Sequence, residues 1–149
     1  MALIDASGKD EFFKAVDEAC RKAVWAAVGT IDGNVPRVRM VHPTWEGDVL
    51  WFATGSGSPK ARQLAANPAI ELQYQVAPPD FVHVIVAGTA ELLEDRDSKQ
   101  HCWNVMDYDL AEFWPGGVDE PGMTAVRITP QRVELSEMFG STNKRVWRA

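Results

Sequence analysis

Trp51-Phe52-Ala53-Thr54-Gly55-Ser56-Gly57-Ser58-Pro59-Lys60-Ala61-Arg62-Gln63-Leu64 carries an apolar strand into a small, hydroxyl-rich loop and from there directly into a helix. Ser58 suits an N-cap, and Pro59 suits the first helical position, where its missing N–H would be unpaired anyway. A helix start offers free backbone donors and the positive end of a dipole. Thr54, Ser56 and Ser58 add hydroxyls, and Lys60 adds a full charge within the first turn. The combination suits a phosphate monoester. Taken locally, a plain tight turn at Gly55 and Gly57 with a solvated Lys60 explains the same residues equally well. The spacing is not the P-loop, which needs Lys-Ser/Thr after its second glycine, nor is it G-x-G-x-x-G.

Working outward, Glu46-Gly47-Asp48 turns the chain into the strand at 49–54. Before it, residues 35–45 read as one long strand in which Arg37, Arg39 and His42 interrupt the apolar positions. Asp32-Gly33-Asn34 signals a hairpin back to a buried strand at 23–30. Ser7-Gly8-Lys9-Asp10 has the look of a capping box, and Phe12, Phe13, Val16, Ala19 and Cys20 follow at helical spacing. Downstream, the helix from Pro59 ends near Asn67-Pro68, and strands follow at 69–76 and 81–93. Residues 95–114 read as a helix with Trp103, Met106, Leu110 and Phe113 as its apolar stripe, broken by Trp114-Pro115-Gly116-Gly117. Two closing strands, 124–129 and 132–136, hinge at Pro130, and 140–149 reads as a loose tail. Six or seven antiparallel strands with two or three inserted helices predict one domain over 1–149: a mainly β (α+β) small barrel with flanking helices. So small a barrel has little interior room. Its ligand site is expected outside, where a strand face meets the loop before Pro59 and a partner subunit can supply the other wall.

Composition narrows the function. Hydrophobic residues make up 46% and charged residues 24% of 149, ordinary for a soluble globular protein. A net charge of −6 argues against a general nucleic-acid binder. No apolar run approaches the ~20 residues of a membrane span, and residues 1–22 lack the basic and apolar regions of a signal peptide. Cys20 and Cys102 are expected as reduced, buried thiols, which fits a cytoplasmic location. His42, His83 and His101 are scattered, and no spacing matches a metal site.

Arg39-Met40-Val41, the strand ending Trp51-Phe52-Ala53-Thr54, Ser58-x-Lys60-Ala61-x-Gln63-Leu64 and Asn67-Pro68 together resemble the FMN-binding split-barrel family, typified by pyridoxamine 5′-phosphate oxidase. Trp114-Pro115-Gly116-Gly117 and the closing Val126-Arg127-Ile128-Thr129-Pro130-Gln131-Arg132-Val133-Glu134 are most similar to its short bacterial branch, the general stress proteins. The resemblance implies a six- to seven-stranded antiparallel split β-barrel and a homodimer with the flavin site at the interface. It implies that Arg39 holds the FMN phosphate or ribityl chain and that the Met40 and Val41 backbone runs along the isoalloxazine edge. Thr54 would meet flavin or phosphate, and Ser58 and Lys60 would clamp the phosphate. His83 falls where the oxidases carry a flavin-contacting glutamine; a strand histidine at the dimer seam is the other reading of it.

Departures from the oxidases bear on the reaction. Pro59 stands where they have arginine, Ser136 where they have tryptophan, and the lysine ending their Arg-led strand motif is missing from Met40-Val41-His42-Pro43-Thr44. The Arg-x-His-x-Arg segment that grips pyridoxal phosphate has no counterpart in 137–149, so oxidation of pyridoxamine phosphate is not expected. The resemblance therefore implies a stress-related FMN oxidoreductase that transfers hydride to or from an unidentified small substrate. A non-catalytic flavin store or sensor, and a deazaflavin-dependent reductase of the same barrel, stay open beside it.

Overall fold

The computed structural model describes residues 1–149. Its elements run β1 (Ala2–Leu3), α1 (Lys9–Ala23), β2 (Ala26–Asp32), β3 (Val35–Val41), β4 (Thr44–Glu46), β5 (Val49–Gly55), α2 (Pro59–Ala66), β6 (Ala69–Gln75), β7 (Val82–Leu93), α3 (Arg96–Val105), β8 (Met123–Glu137) and β9 (Thr142–Arg148). Nine strands make one sheet, ordered β1-β9-β8-β7-β6-β2-β3, with β5 on the first half of β8 and β4 beyond it. All pairs are antiparallel except β1–β9. This is the expected α+β split barrel, with more strands than the six or seven read from sequence.

Period and burial agree along the strands. β6 alternates strictly, with Ile70, Leu72 and Tyr74 inward and Glu71 and Gln73 outward. β5 is apolar on both faces for a reason. Leu50 and Phe52 join the main core with Phe12, Phe13, Val86 and Ile128, whereas Trp51 turns the other way into a smaller cluster with Cys102, Met106, Leu110 and Met123. β5 is thus held from both sides, and the loop that leaves it starts from a fixed point. Both cysteines are buried and free, as expected.

Several boundaries differ from the sequence reading. Residues 35–45 form two strands, because Pro43 lacks the N–H needed to continue β3 and restricts the residue before it. At 124–136 the reverse holds: Pro130 bends β8 without breaking it. It sits opposite Gly88 at a register shift, and a Cβ on Gly88 would lie 2.5 Å from the Thr129 carbonyl oxygen. The helix expected over 95–114 ends at Val105. A single 3-10 turn, Leu110–Glu112, follows, capped by the Asp109 carboxylate on the Ala111 N–H; Met106 and Leu110 are buried but Phe113 is 64% exposed. The start of α1 has no side-chain cap from Ser7 or Gly8; Asp5 instead accepts hydrogen bonds from Ser7 Oγ and the Gly8 N–H. The segment expected as a loose tail is β9, paired with β8 and β1, with Val146 and Trp147 buried.

Candidate functional site

The opening stretch folds as its residues dictate. Ser58 caps α2, its Oγ accepting the Ala61 N–H at 3.2 Å, and Pro59 occupies the first turn. The Thr54 hydroxyl, 3% exposed, accepts from Lys60 Nζ at 2.8 Å and lies 3.2 Å from Ser58 Oγ. Ser56 is directed elsewhere: its hydroxyl meets Thr124, which also bonds Glu94, so it contributes nothing to the Lys60 group.

Arg39 reaches the same place from β3. Its guanidinium donates to Thr30 Oγ1 at 2.7 Å and to Gln63 Oε1 at 2.6 Å, and the Thr30 hydroxyl donates to that same amide oxygen. Gln63 on α2 and Thr30 on β2 therefore fix the arginine, a positioning role that neither residue showed in sequence. No carboxylate lies within ion-pair distance of Arg39 or Lys60, although the fold has eleven such pairs elsewhere. The electrostatics register this. Burial lowers the Lys60 pKa and the Arg39 charge lowers it further; the Arg39 pKa falls through burial and the neighbouring Arg37. Two partly desolvated cations without an anion, beside two hydroxyls and a helix N-terminus, form a seat that could hold an anion such as a phosphate.

The cavity that opens from this seat has a volume of about 700 Å³. Met40, Val41, Thr54 and Lys60 line it, whereas Arg39 and Ser58 stand beside the lining. Its lining is rich in aromatic side chains: Tyr108, Phe113 and Trp114 follow the end of α3, and Trp25 precedes β2. Trp25 is placed by a γ-turn at Val24 (φ 72°, ψ −58°), in which the Trp25 N–H donates to the Ala23 carbonyl at 2.9 Å. That conformation is strained for a β-branched residue, and strain of this kind persists where the surroundings enforce it. It also delays β2, which begins at Ala26 and not at 23.

His83 is not brought to this cavity within one chain. It sits on β7, 3% exposed, stacked on Phe139 with ring centroids 5.5 Å apart and edge-on to Phe81 at 4.8 Å. Neither ring nitrogen has a hydrogen-bond partner. Of the sequence candidates, Arg39, Met40, Val41, Thr54, Ser58 and Lys60 converge and His83 stands apart. His42, Tyr108 and Trp25 carry no motif that would have announced them. The Trp114-Pro115-Gly116-Gly117 break was visible, but not that it turns Trp114 into the lining.

A family model described as pyridoxamine 5′-phosphate oxidase matches residues 12–137. The chain belongs to that family. Solved structures of the family's fold agree with the architecture. A protein related to general stress protein 26 of B. subtilis, from Clostridium acetobutylicum, is 23% identical with a TM-score of 0.76, the match covering 97% of this chain and 96% of that one. General Stress Protein 26 from Bacillus anthracis is 18% identical, TM-score 0.69, covering 90% and 98%. A pyridoxamine 5′-phosphate oxidase-related, FMN-binding protein from Nostoc punctiforme is 20% identical, TM-score 0.61, covering 86% and 84%. At such identities the likeness carries the fold and leaves the chemistry to the residues. No curated protein matches the chain by sequence.

Proposed function

We propose that this protein binds FMN and serves as a flavin-dependent oxidoreductase for a small molecule, with its site completed across a homodimer. The unpaired cations Arg39 and Lys60 beside Thr54 and Ser58 carry this reading, because a phosphate dianion supplies the charge they lack. The family resemblance and the FMN-binding relative favour FMN as its owner. FMN when bound supplies two-electron chemistry at its ring. The chain's residues bind and shelter it: Arg39 and Lys60 grip the phosphate, Thr54 orients Lys60, the Met40–Val41 backbone borders the ring, and Trp25, Tyr108 and Trp114 exclude water.

His83 belongs to the proposal as a residue offered to the neighbouring protomer, reached once the 80% exposed Phe139 moves from it. A substrate phosphate is not what the chain is built to hold. Lys144 is paired with Glu134 at 2.9 Å, Arg145 packs over Phe12, and neither lines the cavity. The test is an absorbance scan and mass spectrum of ligand released from purified protein. Flavin bands with the mass of FMN support the reading; a colourless protein that binds no added FMN overturns it.

A further inference from the structure

The cavity's other end has different chemistry. Strands rise about 3.4 Å per residue, so His42 lies on the order of 10 Å from Arg39, past the Met40–Val41 backbone. His42 Nε2 is 2.8 Å from Asp107 Oδ1. Asp107 is itself over-determined: Thr44 Oγ1 donates to its Oδ1 at 3.1 Å, Arg21 reaches its Oδ2 at 3.3 Å, and its N–H donates back to Thr44 Oγ1 at 3.2 Å. The imidazole stacks on Tyr108, centroids 4.0 Å apart and planes 14° from parallel. Ring orientation is thus fixed from two directions, and with Nε2 committed, Nδ1 is the nitrogen left for a bound molecule. Burial pushes the Tyr108 hydroxyl up to about 12, so it stays a neutral donor at physiological pH. The charged group nearest Tyr108 in the lining is the carboxylate of Glu112; the cation, Lys60, belongs to the phosphate seat.

We propose that this end takes an uncharged, planar aromatic molecule bearing a hydroxyl or carbonyl oxygen, which bonds His42 Nδ1 and lies against Tyr108 and Trp114. The proposal rests on the FMN reading only in making that molecule the substrate. A neutral His42 that donates through Nε2 to Asp107 presents a lone pair at Nδ1 and accepts a phenolic O–H; a protonated one donates to a carbonyl. Either redox form of a quinone or phenol therefore meets a partner. Asp107 is already neutralised by Arg21, and Lys60 is taken up at the phosphate seat, so an anionic substituent at this end meets the unpaired Glu112 carboxylate, and phosphorylated or sulfonated analogues are disfavoured.

The test is equilibrium dialysis of a naphthol, of naphthalene and of a naphthol sulfonate against FMN-saturated and ligand-free protein. FMN-saturated wild type should hold naphthol about three- to tenfold more tightly than naphthalene, the worth of one hydrogen bond, and about tenfold or more over the sulfonate. His42→Ala should erase the naphthol–naphthalene gap with FMN affinity unchanged. Glu112→Gln, at an exposed side chain, should narrow the sulfonate gap and leave naphthol alone, which tests the charge argument independently of the histidine. Equal affinities for the three probes, or gaps that survive both substitutions, overturn the proposal while the flavin reading stands. If FMN does not bind but the ligand-free protein shows the His42-dependent gap, the flavin reading falls and the aromatic subsite stands.

Discussion

At residue scale the site is a balance between stability and ligand demand. Lys60 is half-buried, with burial and the Arg39 charge both lowering its pKa. The native state therefore binds fewer protons than the unfolded chain in the window just below the ordinary lysine range. The resulting penalty is fully present at neutral pH and is relieved as pH rises through that window. Lys60→Met removes the penalty along with the Thr54 hydrogen bond. It is expected to raise the ligand-free melting temperature and to shrink the further rise that FMN gives the wild type. A lower ligand-free melting temperature with an intact FMN increment would show that Lys60 serves the fold. That Thr54, Ser58 and Lys60 come together was legible because the grouping is local: they fall within seven residues, and the cap and proline say how they are presented. Gln63 and Thr30 were not, since holding Arg39 requires β2, β3 and α2 to meet. His42 and Asp107, 65 residues apart, pair only because Thr44 anchors the chain leaving α3.

The elements show where local pattern and tertiary context part. The strand read at 69–76 is β6, whose burial alternates strictly, and the apolar strand read at 49–54 is β5, which is buried on both faces. Proline misled twice in opposite directions, since its effect depends on whether the facing strand can absorb a bend. Pro43 faces no such partner and ends β3, whereas Pro130 bulges against Gly88 and β8 continues. The C-terminal segment misled for a compositional reason. Arg145, Lys144 and Arg148 make 140–149 look solvated, yet the adjacent Val146 and Trp147 between them are both buried, one on each face of the strand. Trp147 packs edge-on against Phe13, ring centroids 5.0 Å apart. Trp147→Ala is expected to cost about 3–5 kcal/mol in chemical denaturation, the range for a buried aromatic. A cost near zero would restore the loose tail.

Over the whole molecule, one group of exposed apolar side chains lies on and beside β3, near the cavity. Val38 is 71% exposed on β3, the edge strand of the sheet, and Met40 62%. Trp25 beside them is 60% exposed. An edge strand with apolar side chains invites a partner, and a second copy would bury it while closing the cavity's open side. Light scattering at micromolar concentration should give twice the 16.5 kDa chain mass, and a stable monomer would remove the proposed second wall. The central claim, that Arg39 and Lys60 seat the FMN phosphate, is tested most directly by parallel titration of FMN and riboflavin into wild type and Lys60→Ala. The wild type should bind FMN the more tightly, and the substitution should weaken FMN by roughly 1.5–3 kcal/mol while leaving riboflavin nearly unchanged. Equal weakening of both ligands, or equal wild-type affinity for the two, would contradict it.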